Sequence, residues 1–93
     1  MFKYNTALLK KVEDIYHEGG YTVRYEKGNF NNGYCVLESK RVVVINKFHD
    51  LEAKINSLME ILTEVNISPE NLPEETRNLY HKILSERAET LFS

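Results

Sequence analysis

Five side chains carry the reactive chemistry this sequence offers: the lone thiol of Cys35, the imidazoles of His17, His49 and His81, and the carboxylate of Glu60. A cysteine attacks as its thiolate, which requires a histidine or another positive group at hand. His49 is the one histidine near the end of a strand pattern, about three residues beyond Asn46, so Cys35, His49 and Glu60 near that strand end define one alternative: an enzyme or small-ligand binder. Against it, Cys35 lies between Tyr34 and Val36 in a strand-like run, where a cysteine reads as a small buried hydrophobe inert to thiol reagents. His17 and His81 fall outside or on the border of apolar helical stripes and read as solvated. One cysteine makes no internal disulfide and no thiolate pair, and three scattered histidines suggest no zinc site, so no metal, cofactor or catalytic residue is expected.

The elements that would position these groups belong to a small chain. Its 93 residues are 42% hydrophobic and 28% charged, ordinary globular values that imply a single domain over residues 1–93. The longest wholly apolar run, Val42 to Ile45, is far too short for a bilayer, and "MFKYNTALLKK" lacks the pattern of a signal peptide. A cytoplasmic location without membrane attachment is the expectation. The net charge of −2 is unevenly spread: residues 1–54 hold nine Lys/Arg against seven Asp/Glu, whereas residues 55–93 hold three against seven. Lys10-Lys11 and Lys40-Arg41 are isolated pairs, too sparse to neutralise several phosphates, which argues against a nucleic-acid ligand.

Leu8, Val12, Ile15 and Tyr16 recur at helical spacing and predict a helix over Thr6 to Glu18, stopped by Gly19-Gly20. "YTVRYE", "GYCVLE" and "RVVVIN" predict three strands, and connections too short for parallel crossovers predict an antiparallel meander. If Glu38 faces Arg41, then Val36 faces Val43 and Tyr34 faces Ile45; if Tyr25 faces Tyr34, Val23 faces Val36. One face then collects Tyr21, Val23, Tyr25, Tyr34, Val36, Val43 and Ile45. The reverse face is mixed: Thr22, Arg24 and Glu26 on the first strand, Cys35, Leu37, Val42 and Val44 on the others.

Asp50 suits the N-cap of a second helix running to about Val65, and Pro73 with Glu74 and Glu75 opens a third through roughly Leu91. Arg87 falls inside the third helix's apolar stripe, where its stem would snorkel or its guanidinium would meet a carboxylate. The fold class is α+β, a three-stranded antiparallel meander with three helices in the order α-β-β-β-α-α. Helices one and two cover the apolar face, and the third completes the core, covers the reverse face or meets a second chain.

The stretch "KGNFNNGYC", Lys27 to Cys35, supplies Gly28 and Asn32-Gly33 for a turn, but it is longer than a tight hairpin needs and carries an aromatic, Phe30. "VVVIN" followed by a helix resembles the minimal core of zincin metallopeptidases, particularly small bacterial peptidases that cleave phage-type repressors, over about residues 5–65. That resemblance lays the zinc motif on Met59-Glu60-Ile61-Leu62-Thr63, where only the glutamate matches; Met59 and Thr63 replace the two histidines, so it implies a scaffold whose zinc chemistry is lost. The segment "RYEKGNFNNGYCVLESKRVVVINKFHD" resembles short bacterial proteins to which no activity is assigned. The function expected is a small, non-enzymatic cytoplasmic interaction module, a homo-oligomer or the binder of another protein. Phe30, Leu37, Val42, Val44 and Arg87 are its candidate contact residues.

Overall fold

Helix α1 spans Thr6–Glu18 and begins where the Asn5 side chain accepts a hydrogen bond from the Leu8 amide at 2.8 Å. Such a cap contributes about 1 kcal/mol by satisfying one of the orphan donors of the first turn. It ends at Gly19, where a Cβ would come within 2.8 Å of Ile67, and Gly20 then takes φ +89° to turn the chain into the sheet. The computed structural model describes residues 2–27 and 34–92, with backbone only at Tyr34, Glu38 and 88–92.

Strands β1 (Thr22–Glu26), β2 (Tyr34–Leu37) and β3 (Val42–Asn46) form one sheet in the spatial order β1-β3-β2. The β2/β3 pair is antiparallel in the expected register, with Tyr34 opposite Ile45 and Val36 opposite Val43. The β1 partner differs from expectation. Instead of pairing antiparallel with β2, β1 pairs parallel with β3, Val23 opposite Val43 and Tyr25 opposite Ile45, so the sheet is mixed and not a meander. The argument from short connections holds only for consecutive strands; β1 and β3 are separated by all of β2, which serves as their crossover. The chain leaves β1 on one side of β3 and enters β2 on the other, a gap of two strand spacings, roughly 10 Å. A two-residue turn cannot bridge that gap, which accounts for the length of the connection, residues 27–33.

The order along the chain is also broken by two short 3-10 turns, Glu38–Lys40 between β2 and β3 and Pro69–Asn71 before the last helix. Arg41 follows the first of these with φ +52°, a left-handed conformation rarely taken by a residue with a side chain. Its guanidinium lies 4.7 Å from the Tyr21 ring centre and donates to the carbonyls of Gly19, Gly20 and Asn66 at 3.3, 3.3 and 3.5 Å. A cation there also meets the negative end of the α1 dipole. Arg41 thereby ties three segments together at one end of the sheet.

Helix α2 (Leu51–Ile61) is capped by Asp50, whose carboxylate accepts from the Ala53 amide at 2.8 Å, and it stops four residues short of the expected Val65. Val65 and Ile67 are buried all the same, in the turn that leads to Leu72. Helix α3 (Glu74–Phe92) packs on α1 and α2. One continuous core joins Val12, Ile15 and Tyr16 of α1, Val43 and Ile45 of β3, Ile55, Leu58 and Met59 of α2, and Tyr80 and Ile83 of α3. All three helices therefore lie on one side of the sheet, the side of Val23, Tyr25 and Val36.

Candidate functional site: the reverse face of the sheet

The strand registers arrange the reverse face in rows. Thr22, Val42 and Leu37 form the first row across β1, β3 and β2; Arg24, Val44 and Cys35 form the second; Glu26 and Asn46 form the third. Strand alternation sends these side chains away from the helices. None of Cys35, Leu37, Val42 or Val44 belongs to the core cluster or packs against it. Leu37 is 42% exposed, and Val42 and Cys35 are half-buried. Val44 departs from the expected patch: flanked on the central strand by Arg24 and Cys35, it is only 8% exposed. The available apolar surface is thus narrower than the alternation alone implies, and it lies toward the β2 edge.

The polar strip on β1 is electrically balanced. Arg24 Nε lies 2.7 Å from Glu26 Oε2, with both side chains well exposed, so the pair leaves the face with no net formal charge. An exposed pair of this kind contributes little to stability, at most about 1 kcal/mol. Its consequence is rather that the face repels neither sign.

The remaining candidate residues do not gather. Cys35 is on the reverse face, whereas Glu60 is exposed on α2, which packs on the opposite side of the sheet. His49 precedes the α2 cap; its Nδ1 is shielded from solvent and has no hydrogen-bond partner among the described residues. Cys35 is half-buried rather than enclosed, because β2 is an edge strand with a neighbour on one side only. His17 and His81 are exposed, His81 with its ring 5.6 Å from that of Tyr80. Among the described residues, no three His, Cys, Asp or Glu side chains cluster so as to hold a metal ion. Met59 and Thr63 share no helix face: Met59 is 2% exposed in the core, while Thr63 lies past the end of α2, its hydroxyl donating to the Glu60 carbonyl at 2.7 Å.

Arg87 is the second departure. It sits with the helices, where Nη2 donates to Asn56 Oδ1 at 3.1 Å and approaches Met59 Sδ at 3.8 Å, so it cannot join Leu37 and Val42 in one surface. It meets no carboxylate among the described residues. Phe30 lies outside the described residues. The sequence reading passed over Phe48, which is 69% exposed between β3 and α2, with Lys47 Nζ 5.3 Å from its ring centre and its amide donating to Asn46 Oδ1 at 2.9 Å. The signal was present: "NKFHD" places one aromatic among polar residues between a strand and a capped helix.

On the helical side, the Tyr25 hydroxyl donates to Glu13 Oε2, and Lys54 Nζ lies 5.3 Å from the Tyr25 ring centre. Burial first, then the hydrogen bond to the Glu13 carboxylate and its charge, push the Tyr25 hydroxyl well above the ordinary tyrosine value near 10; burial raises Tyr80 too. Both groups hold protons in the folded state that the unfolded chain releases. Their contribution to stability is therefore complete below about pH 10 and is lost as pH rises beyond it. Melting temperatures measured across the alkaline range should fall above about pH 10, and Tyr25→Phe should make that fall shallower while Tyr80 maintains part of it. An unchanged alkaline slope in Tyr25→Phe would remove the coupling assigned to Tyr25.

Among the described residues, no helix is long and apolar enough to cross a membrane. Set beside protein-family models, curated proteins and solved structures, the chain shows no match to any of them.

Proposed function

We propose that this chain is a small, non-enzymatic interaction module of a bacterial cytoplasm that associates with a second copy of itself through the reverse face of its sheet. The observation that carries this reading is the position of α3, which packs on α1 and α2 and so gives its apolar stripe to the same side of the sheet as theirs. Leu37, Val42 and Cys35 then stand apart from the core beside a neutral polar strip. A two-fold axis lying in the plane of this face and running across its strands would lay the Arg24–Glu26 strip of one copy antiparallel to that of the other with opposite charges available to each. The likeness to the zincin core enters this reading as scaffold only, without metal chemistry.

The size of the face sets the strength of the association. Three strands and about five residues give a footprint of roughly 14 by 17 Å. That is well below the ~800 Å² that each partner contributes to a standard stable interface. A weak, concentration-dependent dimer is the expectation. Light scattering should show the mass rising from one chain toward two between low and high micromolar concentration. Cys35 should react readily with a thiol reagent in dilute protein and more slowly as concentration rises, since its partial exposure lies on the proposed interface. A strict monomer at high micromolar concentration, with Cys35 labelling independent of concentration, would overturn the proposal.

A further inference from the structure

Strand β1 is bordered by β3 on one side only, and its ladder uses alternate residues. The Thr22 amide donates to the Arg41 carbonyl at 2.9 Å and the Lys47 amide to the Glu26 carbonyl at 3.1 Å. These bonds turn the backbone groups of Thr22, Arg24 and Glu26 toward β3, so those of Val23 and Tyr25 point away from the sheet. Among the described residues no other strand pairs with them. The edge is held in shape at its centre, where the Tyr25 hydroxyl donates to Glu13 Oε2 and Lys54 Nζ lies 5.3 Å from the Tyr25 ring centre. Val23 and Tyr25 are only half-buried and Lys27 is exposed, so the helices do not close over it. A preordered row of outward N–H and C=O groups is a template for a further strand.

Charge on that edge selects the partner. Natural edges are blunted by proline, bulges or charged side chains. β1 contains no proline, and its register with β3 runs residue for residue without a bulge. Its charges are Arg24 and Glu26, one on each side of Tyr25 in sequence. Against a second copy run antiparallel with Tyr25 opposite Tyr25, Arg24 falls opposite Glu26 and Glu26 opposite Arg24, a favourable cross-strand arrangement. The Arg24–Glu26 pair within each chain, at 2.7 Å, can persist, because a guanidinium has five donors and a carboxylate about four acceptor positions. The four charges then alternate around a ring. Other registers lose this: centring on Arg24 or on Glu26 sets like charges opposite one another, and centring on Val23 sets Arg24 against Thr22 and Glu26 against Gly20.

We propose that two copies of this chain join edge to edge through β1, antiparallel about Tyr25, so that their two sheets become one. The two-fold axis is normal to the sheet, which keeps the helices of both copies on one side and doubles the width of the reverse face. This contact is distinct from the face-to-face association proposed above. Edge pairing brings the Cα atoms of Arg24 and the other copy's Glu26 to about 4.5 Å, whereas packed sheets stand about 10 Å apart. Amide hydrogen exchange in the unmodified chain should therefore slow at Val23 and Tyr25 by roughly tenfold between dilute and concentrated protein, while Thr22, already bonded to Arg41, stays unchanged. Disulfide trapping reads the register. In a Cys35→Ala background, Arg24→Cys and Glu26→Cys chains should link to each other on mixing in preference to either homodimer, since like positions lie on the diagonal, about 7–8 Å apart and at the limit of disulfide reach. Exchange at Val23 and Tyr25 that ignores concentration would overturn the proposal, and any dimer seen by light scattering would then belong to the reverse face. Preferential Arg24→Cys homodimers would overturn the register. Slowed exchange at Val23 and Tyr25 with Cys35 labelling independent of concentration would support the edge and overturn the face. Should a cysteine variant fail to fold, exchange in the unmodified chain decides alone.

Discussion

Replacing Tyr16 by alanine should remove most of the stability of this domain, whereas replacing it by phenylalanine should leave a folded protein with a moderately lower melting temperature. Tyr16 is fully buried in α1, its ring meets that of Tyr21 edge-on at 6.3 Å and 81°, and its hydroxyl donates to the Leu58 carbonyl in α2. Truncating a buried aromatic to alanine costs about 3–5 kcal/mol, through lost transfer free energy and the cavity left behind. A domain of this size has only about 5–15 kcal/mol in total. Phenylalanine keeps the ring and forfeits the hydroxyl. The Leu58 carbonyl retains a second donor, the Leu62 amide at 3.2 Å, so its oxygen is not left bare. The loss should therefore stay near the net value of one hydrogen bond, about 0.5–1.5 kcal/mol. For a chain of this length that corresponds to a fall in melting temperature of roughly 2–12 °C. Thermal melts followed by circular dichroism distinguish the cases, and an alanine variant that melts within a few degrees of the parent would show that α1 and α2 are not joined through this residue.

How much of this was legible in the sequence differs from strand to strand. The β2/β3 pairing could be read because a short turn fixes the register, and one register places Val36 against Val43 and Tyr34 against Ile45. For β1 the same alternation identified the face but not the neighbour. Val23 and Tyr25 fit Val43 and Ile45 of β3 in parallel as well as they fit Val36 and Tyr34 of β2 in antiparallel. Period-two patterning says which side chains point inward and is silent about which strand lies beside them. The length of the connection over residues 27–33 was the available clue that β1 and β2 are not adjacent, and it is accounted for once β3 lies between them. In α3, the apolar stripe was visible but its destination was not, because a stripe that fits the core also fits a second chain. Arg87 shows the same limit at one residue: its position inside the stripe was plain, but that Asn56 and Met59 receive it depends on how α2 and α3 meet.

The mixed composition of the reverse face was legible from alternation alone, and it supports the expectation with the greatest functional effect: Val42→Glu should dissociate the proposed dimer and leave the chain folded. Val42 stands at the start of the central strand, between Thr22 and Leu37, half-buried and outside the core cluster. Exchanging valine for a residue of low strand propensity costs up to about 1 kcal/mol at a position of this kind. In a dimer joined through this face, each copy would add a carboxylate to an apolar patch and would bring it toward the other copy's carboxylate across the two-fold axis. Like charges set against one another at an interface cost several kcal/mol, equivalent to at least a hundredfold weaker association. The adjacent residue supplies the control. Val43 is fully buried among α1, α2 and the sheet, so Val43→Glu should unfold the monomer itself. A charge exchange then tests the geometry: Val42→Glu and Val42→Lys chains should each be monomeric alone and should associate when mixed, if the axis passes near this residue. Association of Val42→Glu at wild-type strength would exclude the reverse face, whereas monomers that fail to pair on mixing would place the two copies of residue 42 far apart within it.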